Sequence, residues 1–458
     1  MRTGELGFWW RSLSGLPPRR APLPEPREAD VAIVGAGYTG LWTAYYLKRA
    51  RPSLEVVVLE AEHAGFGASA RNGGWLTADF SGPPRAYERG RAAGSFRELQ
   101  RAMRATIDEV AGVLEHERID AELMRGGQLS VALDSAQAAR LRDQLISGSE
   151  QATDEGGTRL LDARELTTRV RIDGAELASF TPHAARVHPA KLLVGLAEAV
   201  ERLGVPIYEG TPVSQLAAHE ARTPMGLVRA RWVVRATEGY TASLRGLRRA
   251  LVPMNSSMIV TEPLSQEAWE EIGWRGGEVL GDCAHVFVYL QRTADGRIAI
   301  GGRGVPYRFG SRTDGEGQTA RATIEQLRAK LVSMFPATEG VAIDHAWSGV
   351  LGVARDWCVS VDADPDTGLA RAGGYVGEGV AASNLAARAL CEQLLGEPGE
   401  LKRLAWVGRE PRRWEPEPLR WCAIRGVYAL YRAADAREHR SGRSSRLASI
   451  VDAASGRR

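Results

Sequence analysis

The chain has 458 residues, 44% of them hydrophobic and 25% charged. This excludes global disorder and a coiled coil, and the length suggests two or three domains at roughly 100–200 residues each. The formal charge of +3 is unevenly spread: residues 401–458 hold 14 basic and 6 acidic side chains, so the basic character belongs to a tail and not to a nucleic-acid-binding body. Glycine stands out at 51 residues, roughly 11% where ~7% is usual, with no collagen-like period. Cys283, Cys358, Cys391 and Cys422 are widely spaced and match neither a disulfide framework nor a metal site, so they read as reduced thiols of a cytoplasmic chain. The N-terminus lacks the apolar segment of an export signal, and no run of about 18 apolar residues offers a membrane span.

In chain order, residues 1–29 form a Pro- and Arg-rich N-terminal arm whose Phe8, Trp9 and Trp10 are suited to docking on the body. Residues 31–34 are a short apolar strand. They lead into Gly35-Ala36-Gly37-Tyr38-Thr39-Gly40, followed by Leu41, Ala44, Tyr45 and Leu47 at helical spacing. A second apolar strand, 56–59, ends in Glu60-Ala61, with Glu60 lying 20 residues after Gly40. Strand, glycine turn, helix and acid at this distance form a dinucleotide-binding fingerprint. Gly35 permits the tight turn, Gly37 lets backbone amides approach a pyrophosphate, and Gly40 lets helix and strand pack closely. Glu60 accepts hydrogen bonds from a ribose and repels a 2′-phosphate.

The fingerprint leaves FAD and NAD both open. The next stretch is a glycine-rich polar loop containing Gly67, Ser69, Ala70, Arg71, Asn72 and Gly73, where a nicotinamide domain would move on to its next helix. Such a loop presents backbone amides and a hydroxyl to a second phosphate and a flavin ring. Further on, 96–118 and 136–146 read as helices, 147–157 as a polar linker, and 128–133, 284–290 and 297–302 as strands, the last two joined by a turn at 294–296. Gly373, Gly374, Gly377 and Gly379 precede a helix over 381–395. Residues 419–436 carry Trp421, Ile424, Val427, Tyr428 and Tyr431 at helical spacing and suit packing on the body, while 437–458 read as disordered.

With Gly35–Gly40 and the stretch Ala68-Ser69-Ala70-Arg71-Asn72-Gly73-Gly74-Trp75, the chain resembles the FAD-dependent D-amino-acid-oxidase-like (DAO) oxidoreductases from about residue 30 to 400, and within them the γ-glutamylputrescine-oxidase-like branch. The resemblance implies an α/β fold. A Rossmann-like, glutathione-reductase-type FAD-binding domain from 30–80, 185–245 and 340–400 would be interleaved with an α+β substrate domain from 81–184 and 246–339, carrying a mixed or antiparallel sheet. Residues 401–458 would be a basic extension with one amphipathic helix. The resemblance assigns Val213 to the adenine, Ala236 and Thr237 to the return strand, and Gly374, Tyr375, Gly377, Glu378, Gly379 and Val380 to the flavin edge, where helix-end amides stabilise a reduced ring. Arg71 takes the place of a His that links flavin covalently in some members, which implies non-covalent FAD. Cys358 reads as a structural thiol.

The implied reaction is hydride transfer to flavin N5 from the carbon beside the nitrogen of an amine, γ-glutamyl amine or amino acid. The imine then hydrolyses to an aldehyde or keto acid. Candidates around the substrate are Tyr289, Arg292, Arg303, Tyr307, His345, Trp347 and Glu378, with Trp347 expected as a pocket wall. Leu351 replaces an Arg that clamps a substrate carboxylate in glycine-oxidase-like members, which favours an amine, or an acid recognised farther away. Glu378 either attracts a cationic amino group or caps the helix. The expected partners are a small amine or amino acid and O2 or another acceptor, with no nucleic acid and no metal. An NAD-dependent dehydrogenase and a non-catalytic FAD-binding protein are the alternatives.

Overall fold

A computed structural model describes residues 1–4, 6–151, 157–313, 317–445, 448 and 451–452. The strand Arg27–Val34 is buried over its last four residues and lies between two parallel neighbours, Val56–Leu59 and Gly226–Arg235. Strands covered on both faces need continuous apolar runs, which Val-Ala-Ile-Val and Val-Val-Val-Leu supply. Ile207–Tyr208 extends the sheet in parallel on one side, and Leu369–Gly373 pairs in parallel with Gly226–Arg235 on the other. The helices Tyr38–Ala50 and Gly379–Leu395 pack on each other. The second helix buries Ala381, Ala382, Ala386, Ala387 and Ala389, small side chains that shorten the distance between packed axes.

A nine-stranded mixed sheet forms the other half. Its central strands Val252–Thr261, Ile298–Gly302 and Val288–Arg292 are antiparallel neighbours. Val279–Asp282 follows, then joins Gln128–Ala132 in parallel. Ile343–Val353 pairs antiparallel along the whole of Val252–Thr261. Residues 343–353, expected with the segment 340–400 in the cofactor-binding domain, thus lie in this sheet. The reason is register: the Ser348 hydroxyl bonds Ser257 at 2.9 Å, and neighbouring residues of the strand fill the same core.

The arm before residue 27 is docked. Phe8, Trp9 and Trp10 are buried in the short helix Phe8–Arg11, and the Trp9 indole N–H donates to the Asn72 carbonyl at 2.7 Å. Arg2–Thr3 adds a parallel edge strand beside His345 and Ala346.

Three local expectations are corrected. Residues 284–287 are not strand, because the His285 and Val286 N–H groups donate to Asp435 of the C-terminal helix at 2.8 and 3.0 Å. The helix Ser135–Gln151 runs on through residues 147–151, which were expected in a linker; residues 152–156 lie outside the described residues. The helix Leu419–Ser441 passes the expected onset of disorder at 437, because Glu438 is buried against Arg140 and His285. Most of 446–458 lies outside the described residues, but Ala448, Val451 and Asp452 are buried. Among the described residues no helix is long and apolar enough to cross a membrane.

Candidate active site

The glycine turn opens a large cavity. Gly35 has φ +107°, and a Cβ on it would stand 2.6 Å from the Ala236 carbonyl oxygen. A Cβ on Gly40 would stand 2.0 Å from the Gly35 oxygen, so helix and turn meet backbone to backbone. The Tyr38 N–H donates to Ser69 Oγ at 2.9 Å, which ties the helix start to the polar loop. Glu60 accepts the Ala36 N–H at 2.8 Å and the Glu62 N–H at 2.9 Å. Burial pushes its carboxyl above the usual range and these two N–H groups oppose the rise.

Of the residues expected at the cofactor, Gly35, Gly37, Tyr38, Thr39, Glu60 and Ala61 line this cavity from the first βαβ unit. Gly67, Ser69 and Asn72 line it from the loop, and Val213, Ala236 and Thr237 from the return segment. Tyr375, Gly377, Gly379 and Val380 complete it at the start of the late helix. Three chain regions more than 100 residues apart thus converge on one space.

Other expected residues stand behind this wall. Ala36 faces Glu60, Gly40 faces Gly35, and Ala70 is fully buried. Gly374 gives its N–H to Glu238 at 2.9 Å. Arg71 turns away from the cavity: its Nε donates to the Phe66 carbonyl at 2.8 Å and its Nη1 to the Ser348 carbonyl at 3.3 Å. The sequence reading missed Phe66, Glu238 and Tyr240, which also line the space. Glu238 and Tyr240 directly follow Ala236-Thr237 in the same return segment.

A second cavity shares Ala68, Asn72, Leu351, Gly377 and Val380 with the first and so adjoins it. Its wall carries Trp75, Phe287, Tyr289, Arg303 and Glu378, with Gly73 beneath Tyr289. The Trp75 and Tyr289 rings meet edge-on, 6.1 Å between centroids, and Tyr289 Oη bonds Ser256 Oγ at 2.9 Å. Arg303 is fixed by one nitrogen, Nη2, donating to the Val376 carbonyl at 3.1 Å, while its buried Nη1 has no partner among the described residues. Glu378 is the N-cap residue of the late helix but its side chain makes no capping bond. Enclosure pushes its carboxyl up to about 7, and Asp79 adds to the rise while Arg303 opposes it. A carboxylate left unpaired in an aromatic pocket is poised to meet a cation.

Four expected substrate-side residues lie elsewhere. Trp347 is not a pocket wall: it is fully buried, donates its indole N–H to the Arg71 carbonyl at 2.9 Å, and packs on Phe8 and Trp9. The docked N-terminal helix covers this indole. His345 stacks on Trp347 and bonds the Leu6 carbonyl through Nε2 at 2.7 Å. Arg292 donates to the Trp274 carbonyl and lies 4.0 Å over the Trp269 ring. Tyr307 is buried with Glu417 and Arg420. Cys358 is buried, and its thiol is pushed up to about 12 by that burial and by Asp356, as suits a structural role.

Residues 30–393 match the profile of a family described as FAD dependent oxidoreductase, DAO. Gamma-glutamylputrescine oxidoreductase of Escherichia coli (strain K12) is 31% identical over 386 residues, which cover 82% of this chain and 85% of that protein. Among solved structures, glycine oxidase from Geobacillus kaustophilus superposes with a TM-score of 0.70 at 19% identity, over 84% of this chain and 100% of that one. L-proline dehydrogenase from P. horikoshii gives 0.67 at 18% identity, over 82% and 96%.

Proposed function

The chain belongs to the DAO family of FAD dependent oxidoreductases, with FAD as its cofactor, and we propose from that premise that it oxidises the C–N bond of an amine. Family membership sets aside the NAD-dependent alternative. The cradle fits the dinucleotide on its own terms, because its turn leaves no room for a Cβ at Gly35 or Gly40 and its acid stands at the ribose end. Non-covalent attachment follows from Arg71, which is held by two backbone carbonyls where a linking His would stand.

The observation that carries the amine reading is the second cavity, where Glu378 accepts no hydrogen bond from a described residue and aromatic rings form the wall. When bound, FAD supplies the acceptor for a hydride leaving the carbon beside the nitrogen. That departure needs the nitrogen lone pair, so the incoming ammonium first gives up a proton. Glu378, ionised above about pH 7, attracts the ammonium and accepts that proton. Trp75, Phe287 and Tyr289 fix the amine's alkyl part and exclude water from it. Arg303 offers its unpartnered Nη1 to an anionic group elsewhere on the substrate, which suits an amine that also bears a carboxylate, such as a γ-glutamyl amine. Loss of the hydride leaves an iminium ion, and water converts it to an aldehyde or keto acid and releases ammonia or a smaller amine. O2 or another acceptor then restores the oxidised enzyme.

The test is product analysis with a panel of γ-glutamyl amines, polyamines, N-methyl amino acids and D-amino acids. Carbonyl product trapped as a hydrazone from the first two classes supports the reading. Product from glycine or small D-amino acids alone overturns it, and no product from any member favours a binding protein without turnover.

A further inference from the structure

Glu238 is a carboxylate for which the reaction above has no use, although it borders the cofactor cavity. It follows the return strand Gly226–Arg235 and has φ +41°, a left-handed conformation that a non-glycine residue adopts only when its surroundings require it. Its side chain crosses to the turn before the late helix. One oxygen accepts the Gly374 N–H at 2.9 Å and the other the Tyr375 N–H at 3.1 Å. The Gly352 N–H adds a third donor from the strand Ile343–Val353. The neighbours are cleared for it: a Cβ on Gly373 would stand 2.6 Å from its carboxylate oxygen, and one on Gly352 2.9 Å from its carboxyl carbon. Burial pushes the carboxyl up to about 7, while the three N–H groups and Arg235 draw it back.

The turn it grips faces the cofactor. Gly377 and Gly379 line the cavity, Tyr375 Oη bonds Thr39 Oγ1 at 3.1 Å, and the Tyr375 carbonyl accepts from Ser81 Oγ at 2.7 Å. Three separate parts of the chain therefore meet this turn, and of these side-chain ties Glu238 alone takes up two of its backbone N–H groups. With those donors held, the later amides of the turn stay aimed at the cavity.

We propose that Glu238 is a positioning residue for the cofactor, a carboxylate clamp that sets the flavin-facing turn at 373–377 through its backbone N–H groups. It acts through the turn and not on the substrate. The inference rests on the cofactor reading and not on the amine, so an enzyme that oxidised none of the amines above would leave it standing.

The test is Glu238→Gln in the full chain. The amide keeps the shape but presents N–H against N–H at one of the two positions. The dissociation constant for FAD, measured by fluorescence on the apoprotein, is expected to rise about tenfold or more, with a shifted visible flavin band in the reloaded protein. An FAD affinity within about twofold of the parent, with the same spectrum, overturns the clamp. Amide hydrogen exchange on the unaltered apoprotein gives an answer even where the variant fails to fold. Slow exchange at Gly374 and Tyr375 supports the clamp, and exchange at the rate of an open loop overturns it.

Discussion

At the residue scale, the proposed oxidation of an amine turns on Glu378. A charged hydrogen bond in an enclosed site is worth about 1.5–3 kcal/mol, so Glu378→Gln should lower kcat/KM for a cationic amine roughly 10- to 100-fold in steady-state assays. The sign of the pH effect follows from a carboxyl raised to about 7. Its charged form is lost as the pH falls through that value, so amine affinity should fall there too, and Glu378→Gln should erase that limb of the profile. Leu351 lines both cavities, at the position that the family resemblance gives to the Arg of glycine-oxidase-like members. Leu351→Arg should therefore confer measurable reduction by small amino acids while reducing that by cationic amines. Gly35→Ala combines φ +107° with a contact at 2.6 Å to a carbonyl oxygen. It should abolish retention of FAD through purification, read from the absorbance ratio of the purified protein.

At the element scale, the C-terminal helix is a strap. Asp435 and Glu438 meet the loop at His285 and Val286, Arg140 of the helix Ser135–Gln151, and the Ser445 N–H. His285, Asp435 and Glu438 bring their ligand atoms within 4.8 Å of one another, but both carboxylates are already taken by these donors, so the group reads as a docking network. Its central pair is largely shielded, with side-chain exposures of 12% for Arg140 and 2% for Glu438. Glu438→Ala would leave the shielded Arg140 charge with only the Cys283 carbonyl and should cost about 3–5 kcal/mol, measured by denaturant unfolding. The same helix shows why 284–290 misled the sequence reading. A short run of β-branched and aromatic residues indicates a strand, yet the first four positions are pulled into a loop by bonds to a helix roughly 150 residues away. The glycine turn and its two strands were legible because strand, turn, helix and acid are local and each needs its own residue type. Trp347 was not, because the residues that cover it, Phe8 and Trp9, lie more than 300 positions earlier.

At the scale of the whole molecule, the cofactor space is assembled from the start, middle and end of the chain. The family resemblance conveyed that interleaving, whereas composition carried only the glycine surplus. The arms at both ends brace the same body: Arg2–Thr3 extends the nine-stranded sheet, and the C-terminal helix packs on residues 285–286 beside the pocket wall at Phe287. Since cofactor binds the folded state only, FAD at about 1,000 times its Kd should stabilise the whole chain by about 4 kcal/mol, seen as one cooperative rise in Tm. Two transitions, with one unmoved by FAD, would mean that the halves fold independently.

The most direct test of the amine reading is anaerobic mixing of the purified yellow protein with single substrates while the visible flavin band is followed. Bleaching by a γ-glutamyl amine or a polyamine is expected, at a rate that falls below about pH 7 in the parent but not in Glu378→Gln. Bleaching by glycine or small D-amino acids alone, with no dependence on Glu378, would contradict it.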